Sequence, residues 1–405
     1  MINKIQAQLN IGIVGHVDHG KTTLTSKLTG KWTDRHSEEL KQGISIKLGY
    51  ADAEFYRDKT VSGISSYTSQ KKHPLTGNDT ELVRKVSFVD APGHETLMAV
   101  MLSGAALLNG AILVVAANEE CPQPRTIEHL LALKMHGIKD IVVAQNKIDL
   151  VSKEDALKNY LKLRAFLDKE GYANAPIIPT SAHFDTNIDA LIYALVNNIN
   201  LPVFDPSLPL KMQIVRSFDI NKPSTKIKDL KGGILGGAIL QGTINVNDKV
   251  HIYPGFESGP IEFKVKSLNS EKISLKEAHA GGLIAIGTDL DPFICFSDKM
   301  VGQLICSEES KPILSNVIKF DYFKIDALLD SNKTNLKISE KIVLIIGSSA
   351  QVGIIKKIAK NNEFEVLLSR DAAYYSKNKI AISRNINSRW RLAGYGEIKW
   401  CINWY

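Results

Sequence analysis

The sequence predicts an α/β domain with a doubly wound, mainly parallel sheet, followed by two β-barrel domains. In the first half, short aliphatic runs alternate with amphipathic helical segments, as in a parallel sheet covered by helices. Three prolines fall within residues 201–209, and the helical periodicity stops after them. From Leu210 onward the chain consists of short alternating runs broken by Gly, Asn-Asp and Pro-Gly, which indicates barrels.

The individual elements follow from the same periodicities. Strands of the first domain are predicted at Asn10–Val14, Lys85–Val89, Ala111–Ala116, Ile141–Ala144 and Ile177–Pro179, with helices at Thr126–Met135 and Lys153–Glu170. Barrel strands are predicted at Lys211–Phe218, Gly237–Gly242, Asp248–Tyr253, Ile261–Leu268 and Gly282–Ile286. A weaker interruption at residues 308–312 precedes another β-rich stretch. We therefore expect domains at residues 1–204, 205–316 and 317–405.

The composition is that of an ordinary globular protein. Of the 405 residues, 44% are hydrophobic and 23% are charged, which argues against a disordered or fibrous chain. The cysteines, at Cys121, Cys295, Cys306 and Cys401, are scattered and never at Cys-x-x-Cys spacing, so neither a disulfide framework nor a zinc site is expected. This pattern and an N-terminus without an apolar leader predict a cytoplasmic protein.

One uncharged stretch, Leu97 to Ala117, has about the length of a membrane span. Gly104 and the pair Asn109-Gly110 divide it into a small-residue helix and an aliphatic strand. We therefore interpret it as part of a buried sheet and expect no membrane association.

The net charge of +7 is concentrated at the C-terminal end. Residues 317–405 hold 15 Lys and Arg against 8 Asp and Glu, whereas residues 1–316 hold 35 of each kind. A basic module behind a neutral one is typical of a surface that faces a polyanion, although a solvated charged face would give the same count.

The segment Gly15 to Thr22 matches the phosphate-loop pattern G-x-x-x-x-G-K-[ST], directly after a predicted strand and before a helical run. Glycines let the backbone wrap around phosphates with its N–H groups turned inward. Lys21 would neutralise the β- and γ-phosphates and the Thr22 hydroxyl would bind Mg²⁺. The predicted nucleotide contacts of this loop are Asp18, His19, Gly20, Lys21, Thr22 and Thr23.

The base is predicted from Asn146-Lys147-Ile148-Asp149, which follows an apolar strand. The Asp149 carboxylate can accept both adjacent donors of guanine, whereas adenine would meet it with an acceptor. Lys147 would lay its stem along the base and Asn146 would tie the loop to neighbouring backbone. Ser181-Ala182-His183 follows a later strand and would place backbone N–H groups near guanine O6.

The segment Asp90-Ala91-Pro92-Gly93-His94 also follows a strand. Asp90 would hold Mg²⁺ through water and the Gly93 N–H would meet the γ-phosphate, where its loss can be sensed. His94 is the candidate for orienting the attacking water. The four segments occur in the order that one α/β nucleotide site requires, so together they predict GTP binding.

These motifs, G-H-V-D-H-G-K-T, D-A-P-G-H, N-K-I-D and S-A-H, resemble those of the translational GTPases, the family of elongation factor Tu. The resemblance implies a GTPase in which His94 positions the hydrolytic water behind an apolar gate formed by Val17 and Ile44. It also makes Asp18 a candidate ligand of a second Mg²⁺.

Residues 31–52 form a polar, helix-capable stretch, predicted to be a loop that orders around a γ-phosphate, with the Ser45 hydroxyl on Mg²⁺. The string from Trp32 to Asp52 resembles the gamma subunits of archaeal and eukaryotic-type initiation factor 2, although Ser45 stands where that family commonly has threonine. Further similar strings continue through both barrels, up to Gly394-Tyr395-Gly396.

One departure from that family lies between residues 55 and 80. Archaeal members usually carry a four-cysteine zinc knuckle there, but this stretch has no cysteine. We therefore predict a metal-free loop and no zinc.

The resemblance implies binding of initiator methionyl-tRNA, delivery to the small ribosomal subunit, and alpha and beta subunits as partners. The candidate tRNA contacts are Tyr50 beside the predicted switch loop and Arg384, Arg389 and Arg391 in the basic third domain. Three alternatives stay open: a selenocysteine-specific elongation factor, the GTPase subunit of a sulfate adenylyltransferase, and a GTP-binding switch without an RNA partner.

Overall fold

The computed structural model describes residues 6–30, 49–90, 105–256, 259–271, 273–325, 335–386 and 389–399. The chain divides into two units, Met1–Pro202 and Val203–Tyr405. The first contains the mixed sheet and its helices, and the second contains two barrels.

A seven-stranded sheet organises the first unit, in the order β3-β2-β4-β1-β5-β6-β7. From β4 to β7 all pairs are parallel, whereas β2 and β3 run antiparallel at one edge. The strands are β1 Asn10–Gly15, β2 Gly49–Arg57, β3 Tyr67–Thr68, β4 Glu81–Asp90, β5 Gly110–Ala116, β6 Ile141–Asn146 and β7 Ile177–Pro179. The predicted mainly parallel sheet is thereby confirmed.

The described helices of this unit begin and end where local chemistry favours it. They are α1 Lys21–Thr29, α2 Pro124–Met135, α3 Lys153–Glu170 and α4 Ile188–Asn198. Helix α3 starts at Ser152, whose hydroxyl accepts from the Asp155 N–H, and ends at Gly171 in the left-handed conformation. Leucines on α1 and α4 pack with aliphatic residues of β1, β4, β5 and β6 in one buried cluster.

The prediction of a loop over residues 31–52 is wrong at its end, because Gly49–Arg57 form β2, antiparallel to β4. Ala51, Ala53 and Phe55 alternate along β2 and are buried. The intervening polar residues conceal this strand from a hydropathy pattern. Asp52, for example, accepts a hydrogen bond of 2.5 Å from Ser87 on β4.

The cysteine-free insert that follows β2 is closed by a carboxylate. Asp58, which is buried, accepts from the Thr60 N–H at 2.8 Å, from the hydroxyls of Thr60 and Thr76 at 2.7 Å each, and from the Asn78 amide at 3.3 Å. The hydrogen bonds from Thr60 and Thr76 lower the pKa of Asp58 to about 2. Both ends of the insert are therefore held by one ionised side chain.

The second unit begins with a barrel built by antiparallel pairing. The sheet order is β11-β16-β8-β9-β15-β12-β13, and an additional pairing of β11 with β12 closes the ring. Its strands are β8 Lys211–Phe218, β9 Ile234–Gln241, β10 Thr243–Asn245, β11 Lys249–Phe256, β12 Gly259–Ser270, β13 Ile273–Leu275, β14 Glu277–His279, β15 Leu283–Thr288 and β16 Leu304–Cys306, with a short helix α5 at Pro292–Cys295. Aliphatic residues from these strands fill its interior.

The last barrel is closed in the order β17-β20-β19-β18-β21-β22. Its strands are β17 Ile313–Lys324, β18 Lys341–Ile346, β19 Ser349–Ile358, β20 Glu363–Tyr374, β21 Lys379–Ile386 and β22 Arg389–Ile398. It has its own apolar core, which includes Phe320 and Tyr374. The predicted pair of barrels is confirmed, whereas the predicted boundaries after residues 204 and 316 stay predictions.

Candidate functional site: a nucleotide site at the ends of the parallel strands

The phosphate loop connects β1 to α1 at the carboxyl end of the sheet. Gly15 has φ +147°, and a Cβ there would lie 2.2 Å from the Val114 carbonyl oxygen. Gly20 has φ +90°, and its Cβ would lie 2.4 Å from the Asn146 side-chain nitrogen. Both positions therefore require glycine, because the loop passes in contact with β5 at one end and with the base loop at the other.

Three predicted phosphate and magnesium ligands meet at the start of α1. The Lys21 ammonium donates to the His16 carbonyl oxygen at 2.7 Å. The Thr22 hydroxyl donates to the Asp90 carboxylate at 3.3 Å, and Asp90 closes β4 with 1% of its surface exposed. A hydroxyl beside a buried carboxylate fits Mg²⁺, which prefers oxygen ligands.

The other predicted residues of this loop have different surroundings. Asp18 is exposed, with φ +61°, and Val17 and Thr23 are half-buried. The predicted Ile44, Ser45, Gly93 and His94 lie outside the described residues.

His19 turns its side chain into the protein. Its Nδ1 lies 3.0 Å from the Val114 carbonyl oxygen and its Nε2 lies 3.2 Å from the Glu119 carboxylate. Burial lowers the pKa of His19. The imidazole therefore fixes the phosphate loop to β5 and to the Glu119 carboxylate that follows this strand.

The two base loops are joined to the phosphate loop by one side chain. Asn146 donates to the His19 carbonyl oxygen at 2.9 Å and accepts from the Ala182 N–H at 3.0 Å. This is the backbone tie predicted for Asn146, and it brings three of the four motif segments together.

The side chains predicted to read the base lie around this tie. Asp149 is exposed in a short 3-10 turn that Lys147 begins with φ +62°. Ser181 is buried, and His183 is exposed with its ring edge-on to Phe184 at 4.7 Å. Asp149 is thus accessible to a base.

Sequence reasoning missed the residues that support the phosphate loop from behind. His129 on α2 accepts from the Gly15 N–H at 2.9 Å, and Glu119 meets His19 as described. Arg125 and Glu128 on the same helix form a buried ion pair. In the sequence Glu128 and His129 fall within the predicted amphipathic helix Thr126–Met135, Glu119 and Arg125 precede it, and no nucleotide motif contains any of them.

The candidate tRNA contacts lie in both units. Tyr50 is half-buried in β2, opposite Val89. Arg384 pairs in register with Arg391, forms an ion pair with Glu340 at 2.9 Å, and exposes 12% of its side chain. Arg389 begins β22, and its side chain lies outside the described residues.

No helix within the described residues is long and apolar enough to cross a membrane. The aliphatic part of the uncharged stretch is strand β5, as predicted, and its residues 97–104 lie outside the described ranges.

Two family models match the chain. The model described as the elongation factor Tu GTP-binding domain matches residues 6–201. The model described as initiation factor eIF2 gamma, C terminal, matches residues 316–398. The first contains all the nucleotide motifs and the second contains most of the last barrel.

Full-length relatives are similar over nearly the whole chain. Translation initiation factor 2 subunit gamma of Methanocaldococcus jannaschii is 47% identical over 407 residues, which cover 97% of this chain and 98% of that protein. The protein of the same name from Pyrococcus abyssi is 45% identical over 406 residues, with the same coverage.

Solved structures share the three-part fold. A bacterial selenocysteine-specific elongation factor EF-Sec superposes with a TM-score of 0.74 at 28% identity, covering 97% of this chain and 58% of that longer chain. Elongation factor SelB of Methanococcus maripaludis, in complex with the GTP analogue GPPNHP, gives a TM-score of 0.74 at 23% identity, over 98% of this chain and 79% of that one. The identity to the initiation factors is much higher and extends over their full length. The geometry of the loops and these relatives together identify the chain as a translational GTPase that belongs to the family of translation initiation factor 2 gamma subunits.

Proposed function

We propose that this chain binds initiator methionyl-tRNA when GTP is bound, delivers it to the small ribosomal subunit in the cytoplasm, and releases it after hydrolysis. Alpha and beta subunits would be its partners. The observation that carries this proposal is the 45–47% identity, over nearly the full length, to proteins named translation initiation factor 2 subunit gamma.

Nucleotide recognition would begin at the base loops. The exposed Asp149 would accept the two adjacent guanine donors, with Lys147 along the base and Ser181, Ala182 and His183 beside O6. Asn146 supports this role, since its two hydrogen bonds fix the base loop against the phosphate loop.

The phosphates would lie over the loop from Asp18 to Thr23. Lys21 would leave the His16 carbonyl, its partner here, and turn to the β- and γ-phosphates. Thr22 and Asp90 would hold Mg²⁺, together with Ser45, and Asp18 would approach a second ion. Mg²⁺, when bound, neutralises charge on the β- and γ-phosphate oxygens.

Hydrolysis would use His94 to orient the attacking water, with Val17 and Ile44 as the apolar gate. Gly93 would contact the γ-phosphate and lose that contact after the reaction. The consequence is a switch: only the triphosphate state would keep the arrangement that binds tRNA.

Binding of tRNA would use the basic last barrel. Residues 317–405 carry the whole excess positive charge of the chain. Arg391, Arg389 and Arg384 are the candidate phosphate contacts there, with Tyr50 near the switch. Arg391, which is half-buried, is a better first target for substitution than Arg384, which exposes only 12% of its side chain.

The test is filter binding of tRNA to the chain assembled with its alpha and beta subunits. We expect initiator methionyl-tRNA to bind with a non-hydrolysable GTP analogue and to bind at least about tenfold more weakly with GDP. R391Q should weaken tRNA binding and reduce its salt dependence, whereas R370Q, at an exposed arginine of the same barrel, should not.

Two results would contradict the proposal. Equal affinity in the two nucleotide states would remove the switch. Preference for selenocysteinyl-tRNA, or GTP turnover stimulated by ATP and sulfate without tRNA binding, would favour one of the alternatives instead.

A further inference from the structure

Helix α2 contributes a side chain to the phosphate loop that no nucleotide motif includes. The Gly15 N–H, at the point where β1 enters the loop, donates to His129 Nδ1 at 2.9 Å. His129 exposes 1% of its surface, so water cannot replace either partner. The Gly15 backbone, with φ +147°, passes so close to β5 that an added Cβ would lie 2.2 Å from the Val114 carbonyl oxygen.

The hydrogen bond requires a particular form of the imidazole. Complete burial lowers the pKa of His129 well below its ordinary value, and the positive charges of Lys21 and Arg125 act in the same direction. The ring is therefore neutral. Since Nδ1 accepts, the single ring proton is on Nε2.

The helix that carries His129 is itself fixed. Arg125, one turn before His129, forms a buried ion pair with Glu128, the residue directly before it. Thr126, Leu130 and Leu133 are fully buried on the same helix. The acceptor is thus presented from a rigid element rather than from a loop, which favours accurate placement.

We infer that His129 is a positioning residue of the nucleotide site: it fixes the first peptide of the phosphate loop so that the following N–H groups can face the phosphates. This inference rests on the GTPase activity of the family and is independent of tRNA delivery. Without the acceptor, the free protein can turn the Gly15 peptide to find another partner, and nucleotide binding must then reverse that change.

Two substitutions and one control test the inference. H129N keeps an acceptor oxygen near the position of Nδ1, H129L fills similar space without an acceptor, and L133A removes packing one turn further along the same buried face. We expect the equilibrium dissociation constants of GDP and GTP to be about tenfold higher for H129L than for the unchanged chain, equivalent to about 1.4 kcal/mol. For H129N they should lie within about threefold of those of the unchanged chain. The preference for GDP over IDP, which Asp149 would set, should be unchanged in both.

A general loosening of the fold would give a different pattern. The positioning role would be overturned if H129L and L133A lost nucleotide affinity equally at matched thermal stability. It would also be overturned if H129L kept the affinity of the unchanged chain, or if H129N bound nucleotide as weakly as H129L. NMR of the His129 ring nitrogens in the unchanged chain gives a measurement that does not depend on whether a variant folds. A proton on His129 Nδ1 would refute the hydrogen bond, and a proton on Nε2 alone would support it.

Discussion

Asp149 is the residue on which base selection depends in the proposed site. It is exposed at the end of β6, and its loop is held in place by Asn146. A carboxylate accepts from the ring N–H and the amino group of guanine, whereas an asparagine offers one acceptor and one donor. Xanthine, with a carbonyl in place of the amino group, is complementary to that asparagine.

We therefore expect D149N to lose at least about 100-fold in GDP affinity and to bind xanthosine diphosphate better than GDP, since charge-assisted hydrogen bonds are lost. Competition against a fluorescent guanine nucleotide measures both constants. D149E, which keeps the charge but moves it, is the matched control and should bind neither nucleotide well. Continued preference of D149N for GDP would show that another group reads the base.

The sequence motifs predicted candidate nucleotide contacts, which stay predictions, but they did not predict the residues that hold the loops in place. Asn146, Thr22 and Asp90 belong to short motifs with fixed chemistry: Thr22 donates to Asp90, and Asn146 joins the His19 and Ala182 backbones. His129 and Glu119 act through partners about a hundred residues away along the chain. Such pairings depend on how elements pack, which a single sequence does not specify.

Helix α4 ends against an arginine from β4. The Arg84 guanidinium donates to the carbonyl oxygens of Leu195 at 3.1 Å and Ile199 at 2.7 Å, and burial lowers the pKa of this arginine. Leu195 lies in the last turn of α4 and Ile199 directly follows the helix, where carbonyls lack the N–H groups of a further turn, so the half-buried Arg84 guanidinium supplies a donor.

We expect R84M to lower the unfolding free energy by about 1–3 kcal/mol, because it removes the guanidinium donor from the carbonyl groups of two buried residues. Urea unfolding measures the change. Arg164 is the matched control: it also donates to two carbonyls, of Ala173 and Ala175, at 2.6 Å each, but near the surface, where water can take its place. R164M should therefore lower the unfolding free energy by less than R84M does. A larger loss of stability in R164M would contradict burial as the cause.

The cysteine-free insert is a second element with a testable stabilising group. The pKa of Asp58 is lowered from 3.8 to about 2, so its ionised form is favoured in the folded insert. Its contribution to stability is complete above pH 3.8 and is lost as the pH falls towards 2.

We expect D58N to increase amide exchange and proteolysis across residues 58–80 by the same factor at any pH between 8 and 5. The difference in exchange and proteolysis rates between D58N and the unchanged chain should narrow below pH 4. T76V and N78A, which remove single donors, should have smaller effects of the same kind. A difference that grows as the pH falls would contradict the stabilising role of the ionised carboxylate.

Long elements with a clear period were predictable, whereas elements that depend on pairing were not. Helix α3 occupies the predicted residues Lys153–Glu170, since its cap and its terminal glycine are local signals. Strand β2 was missed because Asp52 and Glu54 look solvent-exposed in the sequence. In the structure Ser87 on β4 donates a hydrogen bond to Asp52 at 2.5 Å, and the Lys85 ammonium on the same strand lies 3.9 Å from each of the two carboxylates.

The division of the chain into two units separates the two halves of the proposed function. All described residues of the nucleotide site lie within Met1–Pro202, which has an apolar core of its own. The basic barrel, with Arg384 and Arg391, lies within Val203–Tyr405. Nucleotide binding should therefore depend on the first unit, and tRNA binding on both.

We accordingly expect a fragment of residues 1–202 to fold and to bind GDP within about threefold of the full chain, because no described nucleotide contact is removed. The same fragment should lose tRNA binding, since the excess positive charge is gone. Fluorescence titration with a labelled GDP and filter binding with tRNA measure the two properties separately. A folded fragment that fails to bind GDP would place a nucleotide contact in the second unit, and a fragment that keeps full tRNA affinity would place the tRNA surface in the first.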